Sequence, residues 1–353
     1  MEGNNIHVIQ MGKMEQPSFI EHKRQDWVNA GKNNLLFDEL IEVSTGYSST
    51  HTSILRTKID TISGTKIELT GTLINYTDKQ LGELIDQLTA DLETVGGCAI
   101  EVIRSKAGTI LELNHIPIQY LRYQKADEKN QIYGMYYSRN WAYSRKYIPT
   151  YIPFYNKDSK DARSVYLIKK YWSGNPYTIL PEYYPALNWI KIDNKISNFH
   201  YNNLANGLNP GLIISMNNGI PDDTIQQKIV DGLEAKYKDA DNAGKLLVMF
   251  NKDKEHAPEI TQLEGNQMHE MFLLLSEQVT QQILTAHRLT NPSLAGLATP
   301  GKLAGTTDLP NSWALFKENV ILPSQTLLET GVNELLGTVG ASIKITTKEL
   351  LNS

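Results

Sequence analysis

Leu81-Gly82-Glu83-Leu84-Ile85-Asp86-Gln87-Leu88-Thr89-Ala90-Asp91-Leu92-Glu93-Thr94-Val95-Gly96-Gly97-Cys98-Ala99-Ile100-Glu101-Val102-Ile103-Arg104 is the stretch that decides the fold class. Its first part puts Leu81, Leu84, Ile85, Leu88, Leu92 and Val95 at helical spacing, which predicts an amphipathic helix. Ahead of it, Thr77-Asp78-Lys79-Gln80 has the spacing of a capping box. Gly96-Gly97 ends the helix, and Ala99 to Arg104 reads as a strand. A helix that feeds directly into strands, with further strands and then helices behind it, points to an α+β protein.

Working outward, strands are expected at Thr109–Leu113, Ile118–Tyr123 and Ile132–Tyr137. Turn-like stretches at Ser105–Gly108 and Lys125–Asn130 separate them, and an antiparallel meander up to Lys170 is the natural arrangement. Upstream, Ser48 to Ile62 reads as a short helix, and Leu35 to Val43 as a strand or a helix. After Pro181 the chain turns helical, with Trp189, Ile192, Ile196, Phe199 and Leu204 on one face up to Asn206-Gly207. A small α/β stretch follows: a strand at Ile213-Ile214, a helix from Thr224 to Tyr237 and a strand from Leu246 to Phe250. Asn266 is a suitable N-cap for the next helix, whose stripe is Met268, Met271, Phe272, Leu275, Val279, Ile283 and Ala286. A last long helix starts near Pro310 and continues through Pro323 to Leu335. Proline inside it removes a backbone donor and is expected to kink the helix. A strand from Ala341 to Thr346 closes the pattern.

Composition narrows the function classes. The 353 residues are 41% apolar, enough for two or three compact units, and 34 Lys+Arg stand against 39 Asp+Glu. A mildly acidic chain is no general polyanion binder. A single cysteine, Cys98, excludes a disulfide framework and any zinc site built on paired cysteines, and in its apolar run it packs the core. Met1-Glu2-Gly3-Asn4-Asn5 has neither a basic nor an apolar leader pattern, so no secretory signal is expected, and no apolar run approaches the ~20 residues of a membrane span. A soluble protein made in a reducing cytoplasm is expected.

Catalytic patterns are weak. Gly296-Leu297-Ala298-Thr299-Pro300-Gly301-Lys302 has P-loop spacing, but Leu303 stands where a hydroxyl should hold Mg²⁺, and a helix rather than a strand precedes it. His269-Glu270 lacks the second histidine of a metalloprotease helix. Asn251-Lys252-Asp253-Lys254-Glu255 interleaves lysines with acids and reads as a solvated turn rather than a cation loop. Asp222-Asp223 suits the start of a helix. No catalytic residue, cofactor or metal is expected.

One segment resembles a nucleic-acid surface. From Arg139 to Trp172, eight basic residues, including Arg139, Arg145, Lys146, Arg163, Lys169 and Lys170, stand against Asp158 and Asp161. Nine aromatic residues interleave with them. Strand residues with basic outer faces give the same composition without any ligand.

From Gly96 onward the order of features resembles the portal, or head–tail connector, family of tailed bacteriophages. The resemblance rests on Gly96 to Arg104 with Gly108, Leu113 and the turn His115-Ile116-Pro117. It rests also on Phe199 to Gly211, on Asp239 to Lys245 running into Leu246–Met249, on Glu277 to Leu297, and on Phe316 through Leu322-Pro323 to Leu335. It spans roughly residues 45 to 348. It departs from the family at Thr290-Asn291-Pro292, where a second proline is usual, and a large C-terminal crown is not expected.

The resemblance implies an α+β, portal-like fold: an α/β wing (1–180), a stem helix (181–206), a small α/β clip (207–263), a second stem helix (264–288), a tunnel loop (289–309), and a long kinked helix with a closing wing strand (310–353). It implies a homo-oligomeric ring, usually a dodecamer, at one capsid vertex of the virion, assembled in the host cytoplasm. The ring passes double-stranded DNA in packaging and ejection, and binds terminase, the major capsid protein and the head–tail adaptor. Leu297, Thr299, Lys302 and Thr306 are then expected to line the channel, with Pro323 at the helix kink. Arg139, Arg145, Lys146, Arg163, Lys169 and Lys170 become a candidate nucleic-acid or capsid surface.

The chemistry suits a channel that must not grip DNA. Each cation in contact with phosphate adds about −0.9 to the salt slope, and a ring repeats every residue. A loop with Lys302 and Asp308 as its sole charges is neutral overall, and the clip has six Lys against nine acids. The rivals are a nucleotide-dependent enzyme built on Gly296–Lys302 and a monomeric nucleic-acid-binding module built on Arg139–Trp172.

Overall fold

Two short strands, β1 (Phe19–Glu21) and β2 (Val28–Ala30), pair antiparallel and lead into helices α1 (Leu36–Gly46) and α2 (Ser49–Ile62). The computed structural model describes residues 18–71, 78–205, 213–216, 219–237, 247–250, 265–297 and 309–349. The chain divides into two units, Met1–Pro185 with Leu284–Ser353, and Ala186–Ile283. Helix α2 starts where its cap demands: the Ser48 hydroxyl accepts the His51 N–H at 3.0 Å.

After β3 (Lys66–Thr70), helix α3 (Asp78–Val95) buries Leu81, Leu84, Ile85, Leu88, Leu92 and Val95, the whole stripe read from the sequence. Thr77 of the capping box lies outside the described residues. Gly96 takes φ +96°, and a Cβ there would overlap the Leu180 carbonyl, so glycine alone permits the turn into β4 (Gly97–Arg104).

The single meander expected here is replaced by two three-stranded sheets. Strand β4 pairs with β5 (Ile110–Ile116); the chain then leaves through Pro117 and a 3₁₀ turn, Ile118–Tyr120. β6 (Leu121–Tyr123), β7 (Gly134–Tyr137) and β8 (Thr150–Pro153) form a second antiparallel sheet. β9 (Arg163–Lys169) returns to the free edge of β4, giving the order β5-β4-β9. Pro117 supplies no N–H to a ladder, which is why the β5 pairing stops there.

In the second unit, helix α4 (Leu187–Ala205) starts later than the expected Pro181, after a 3₁₀ turn at Tyr184–Ala186. Two prolines, Pro181 and Pro185, hold the preceding residues out of a helix. β10 (Ile213–Met216), α5 (Asp223–Tyr237) and β11 (Leu247–Phe250) form a β-α-β unit with parallel strands. α6 (Gly265–Ala286) begins one residue before Asn266, so Asn266 lies within the first turn rather than at the cap. Phe199 of α4 stacks on Phe272 of α6 at 4.6 Å.

The first unit resumes at the end of α6 and closes with α7 (Leu309–Phe316) and α8 (Leu322–Leu336). Between them lies a π-helical turn, Lys317–Ile321, so the helical path runs on through Pro323. The Leu322 N–H reaches the Lys317 carbonyl five residues back. The widened turn absorbs the proline, which has no N–H to give. Strand β12 (Ser342–Thr346) pairs antiparallel with β3, a partner that five alternating residues did not announce in the sequence. Asn333 and Glu329 of α8 hydrogen-bond the outer edge of β12 at Ile343 and Ile345.

Candidate functional site

The segment between α6 and α7 is built on a fixed base. Arg288 takes φ +57° as α6 ends, and the Asn291 side chain accepts the Ser293 N–H at 3.0 Å to start a 3₁₀ turn, Pro292–Ala295. Gly296 closes the turn in the left-handed region at φ +71°. Ser53 of α2 donates to the Ala295 carbonyl at 2.7 Å, which ties the base to the helix beneath it. Leu297 is half-buried; Thr299, Lys302 and Thr306 lie outside the described residues. Gly296 follows a helix and a 3₁₀ turn, so the strand that a phosphate-binding loop requires is not its neighbour.

Beneath this base, still within the first unit, sits a buried charge network that the sequence did not announce. Lys58 of α2 pairs with Glu93 of α3 at 2.5 Å, each side chain 2% exposed. Lys170 reaches the other Glu93 oxygen at 2.7 Å, and Ser324 of α8 donates to that same oxygen at 3.3 Å. Burial alone would raise the Glu93 carboxyl, but the Lys58 and Lys170 ammonium groups together outweigh it and hold it down to about 2. Glu182 joins the same two lysines and Arg288 at 3.5–3.9 Å.

Alongside, His51 Nδ1 and His287 Nε2 share a hydrogen bond of 2.9 Å, and Tyr183 stacks on His287. Burial first, and then the Lys58 charge, lowers the His51 imidazole to about 4 and His287 well below its usual value. Two neutral imidazoles, one donating and one accepting, satisfy that geometry. Glu182 and Tyr183 precede the point where the chain leaves the first unit, and His287 and Arg288 follow its return. The network therefore clasps both crossing segments to α2 and α3. Its one trace in the sequence is polar residues at stripe positions, His51 and Lys58 in α2 and Glu93 in α3. Polar residues in a stripe name no partner, so the pairing was unreadable.

The basic segment divides into two kinds of cation. Arg163 pairs with Glu101, Lys169 donates to the Pro176 and Thr178 carbonyls, and Lys170 belongs to the buried network. Those three are engaged in holding the fold. Arg139, Arg145 and Lys146 are exposed, on the loop that joins β7 to β8. Trp141 anchors that loop: it is buried, packs on Trp27 at 5.5 Å, and lies under the Arg122 guanidinium at 4.9 Å. Arg122 in turn gives hydrogen bonds of 2.5–2.9 Å to Asn34, Gln119 and Leu121. The Ser138 hydroxyl donates to the Tyr147 carbonyl at 2.9 Å across the loop.

No family model matches the sequence, and no curated protein does. Solved structures do. A chain in the virion of a native gene transfer agent particle matches with a TM-score of 0.57 and 15% identity, over 88% of this chain and 83% of that one. A chain in the neck of the native particle, computed with C12 symmetry, matches with 0.57, 15%, 88% and 83%. A HK97 family phage portal protein from Corynebacterium diphtheriae aligns at 0.46 and 12%, over 84% of this chain and 94% of that one. The chain shares its fold with these virion and neck chains.

Among the described residues, no helix is long and apolar enough to cross a membrane. Nor does any group of three or more His, Cys, Asp or Glu come together there as a metal site.

Proposed function

We propose that the chain is a portal protein: copies form a ring, a dodecamer, at one vertex of a phage-like capsid, and double-stranded DNA passes through its centre. The observation that carries this reading is the fold match over 88% of the chain to a protein in the neck of a particle whose map was computed with C12 symmetry. The work of such a subunit is mechanical rather than catalytic. The ring resides in the virion, after assembly in the host cytoplasm. Its partners are itself, the DNA, terminase, the major capsid protein and the head–tail adaptor.

The second unit supports self-association. Leu273 and Leu274 of α6 are 53% and 68% exposed, and Tyr201 of α4 is 71% exposed. Large apolar side chains gathered on helices favour burial against a partner, at about 25 cal/mol per Å². A ring of this kind uses two different patches on each subunit and buries on the order of 2,000 Å² or more per contact.

In this reading residues 289–309 form the tunnel loop, and Leu297, Thr299, Lys302 and Thr306 face the channel. The 3₁₀ turn fastened by Ser53 gives that loop a rigid root. Residues 310–353 form the kinked helix and closing strand, with Pro323 at the bend. Deleting residues 300–306 is expected to leave rings intact under the electron microscope while packaged DNA falls at least tenfold. Loss of the ring itself in that variant would remove these residues from the channel and place them in the subunit contact.

A further inference from the structure

The loop between β7 and β8 carries an unusual combination. From Lys129 to Lys157 the sequence holds no acidic residue. Arg139, Arg145 and Lys146 are exposed, and no ion-pair partner faces them among the described residues. Beside them Tyr143 is 66% exposed and Ile148 79% exposed. The loop is nonetheless firmly seated, through Trp141, Arg122 and the Ser138–Tyr147 hydrogen bond. Rigid tyrosine and arginine on a preorganised knob is the composition of an interface anchor, because little entropy remains to be lost on binding. The most exposed large side chain is aliphatic. Ile148 neither stacks on a base nor neutralises a phosphate, so the knob suits a protein surface better than a nucleic acid.

The opposite flank of the same unit has the complementary character. β5 is an outer strand of the sheet β5-β4-β9, and the sheet that carries the knob abuts the other outer strand, where Phe154 bridges to Val165. On the β5 side a groove of about 340 Å³ runs between α3 and β5, lined by Glu83, Gln87, Glu112 and Asn114 over Leu84 and Leu113. Asp86 is exposed on the same helix, Leu111 is 42% exposed on the same strand, and β5 has no Lys or Arg.

We infer that the basic knob at Arg139–Ile148 of one copy docks on the acidic α3–β5 flank of the next, as a head-to-tail contact between subunits. The inference rests on the ring reading above and names the surfaces that close it. Two different patches, one on the sheet beside β9 and one beyond β5 on the other side of β4, are what a rotationally repeated contact requires. The chain is acidic overall, at −5, so copies repel unless an exposed basic surface meets an acidic one.

The test is a charge swap read as oligomeric mass in solution, at low salt and at several protein concentrations. Arg145→Glu with Lys146→Glu is expected to raise the concentration at which rings form at least tenfold. Asp86→Lys with Glu112→Lys is expected to do the same. All four changes together in one chain should bring it back to within about threefold of the native protein. All five substituted positions lie on the surface, so unchanged thermal unfolding of each variant verifies that the fold is intact. Ile148→Ser tests the apolar part without changing charge and should weaken assembly by a smaller factor. Raising salt from 0.1 to 0.5 M should weaken native rings, because the Debye length shortens. Rings unaffected by either reversal, or a fourfold variant as weak as its parents, would overturn the contact and leave the ring reading standing. A native chain that stays monomeric throughout would overturn both. A duplex DNA that binds the native monomer, loses affinity in the Arg145–Lys146 variant and ignores Ile148→Ser would reassign the knob to nucleic acid.

Discussion

Helices α3 and α6 both carry an apolar stripe, but α6 bears two further leucines, Leu273 and Leu274, outside its stripe. Every apolar residue of the α3 stripe is 4% exposed or less, packed between α2, β4 and α8. In α6, Val279 and Ile283 are buried, while Leu273 and Leu274, one turn and more upstream, stand in solvent. The first unit is self-sufficient to the point of burying charge: Lys58, Glu93 and Lys170 meet with no solvent between them. The second leaves apolar surface over. Under the ring reading proposed above, these exposed side chains of the second unit are expected to be covered by a partner, in addition to the wing contact of the first unit.

The largest effect that tests this contrast is on assembly. Leu273→Asp with Leu274→Asp should abolish rings outright and leave the unfolding free energy of the monomer unchanged within about 0.5 kcal/mol, since both residues are already exposed. A stable monomer with native circular dichroism is the expected product. Rings that persist would show that α6 is not a contact helix, and would move the burden of association to the wing flanks.

Next in size is the buried network. Glu93→Ala removes the direct partner of both ammonium groups, leaving only the longer contacts to the half-buried Glu182 at 3.5–3.8 Å, and should cost about 3 kcal/mol in urea unfolding. Glu93→Ala together with Lys58→Met should recover part of that loss, because one stranded charge is gone. If the single variant costs less than about 1 kcal/mol, water reaches the network and the clasp at the unit crossings is weaker than its geometry implies.

The histidine pair gives a pH-dependent effect whose sign is fixed. Folded His51 holds its proton only below about pH 4, whereas the unfolded imidazole takes one up near its ordinary value. Between those values the unfolded chain binds more protons, so stability is full above about pH 6.5 and declines as pH falls toward 4. For His51 alone the loss is about 3 kcal/mol over that range, and His287, lowered for the same reason, adds to it. His51→Gln should flatten the profile while lowering stability at pH 7. A native protein equally stable at pH 5 and pH 7 would contradict a neutral, buried pair. The smallest effect is at the α2 cap, where Ser48→Ala should cost about 1 kcal/mol.

What the sequence disclosed follows the reach of each interaction. The α3 stripe and the Gly96 turn depend on residues a few positions apart, so spacing alone revealed them. The β4–β9 and β3–β12 pairings join residues far apart in the chain, and no local period records which strand meets which. The same distance hid the charge network: Lys58, Glu93, Lys170 and Glu182 come from four separate segments. The basic stretch was visible as composition, but not its division into cations that hold the fold and cations left on the surface. The Pro323 position was legible, while the π turn that accommodates it was not, because an extra residue per turn leaves no mark in a hydrophobic stripe.

The central claim is that this chain makes rings. The most direct test is the mass of the full-length protein in solution, taken together with negative-stain images of the same sample. The account predicts particles near twelve times the 39.8 kDa subunit mass, with rotational symmetry and a central hole. A compact monomer or two-fold dimer at every concentration and salt, with no ring in any field, would contradict it.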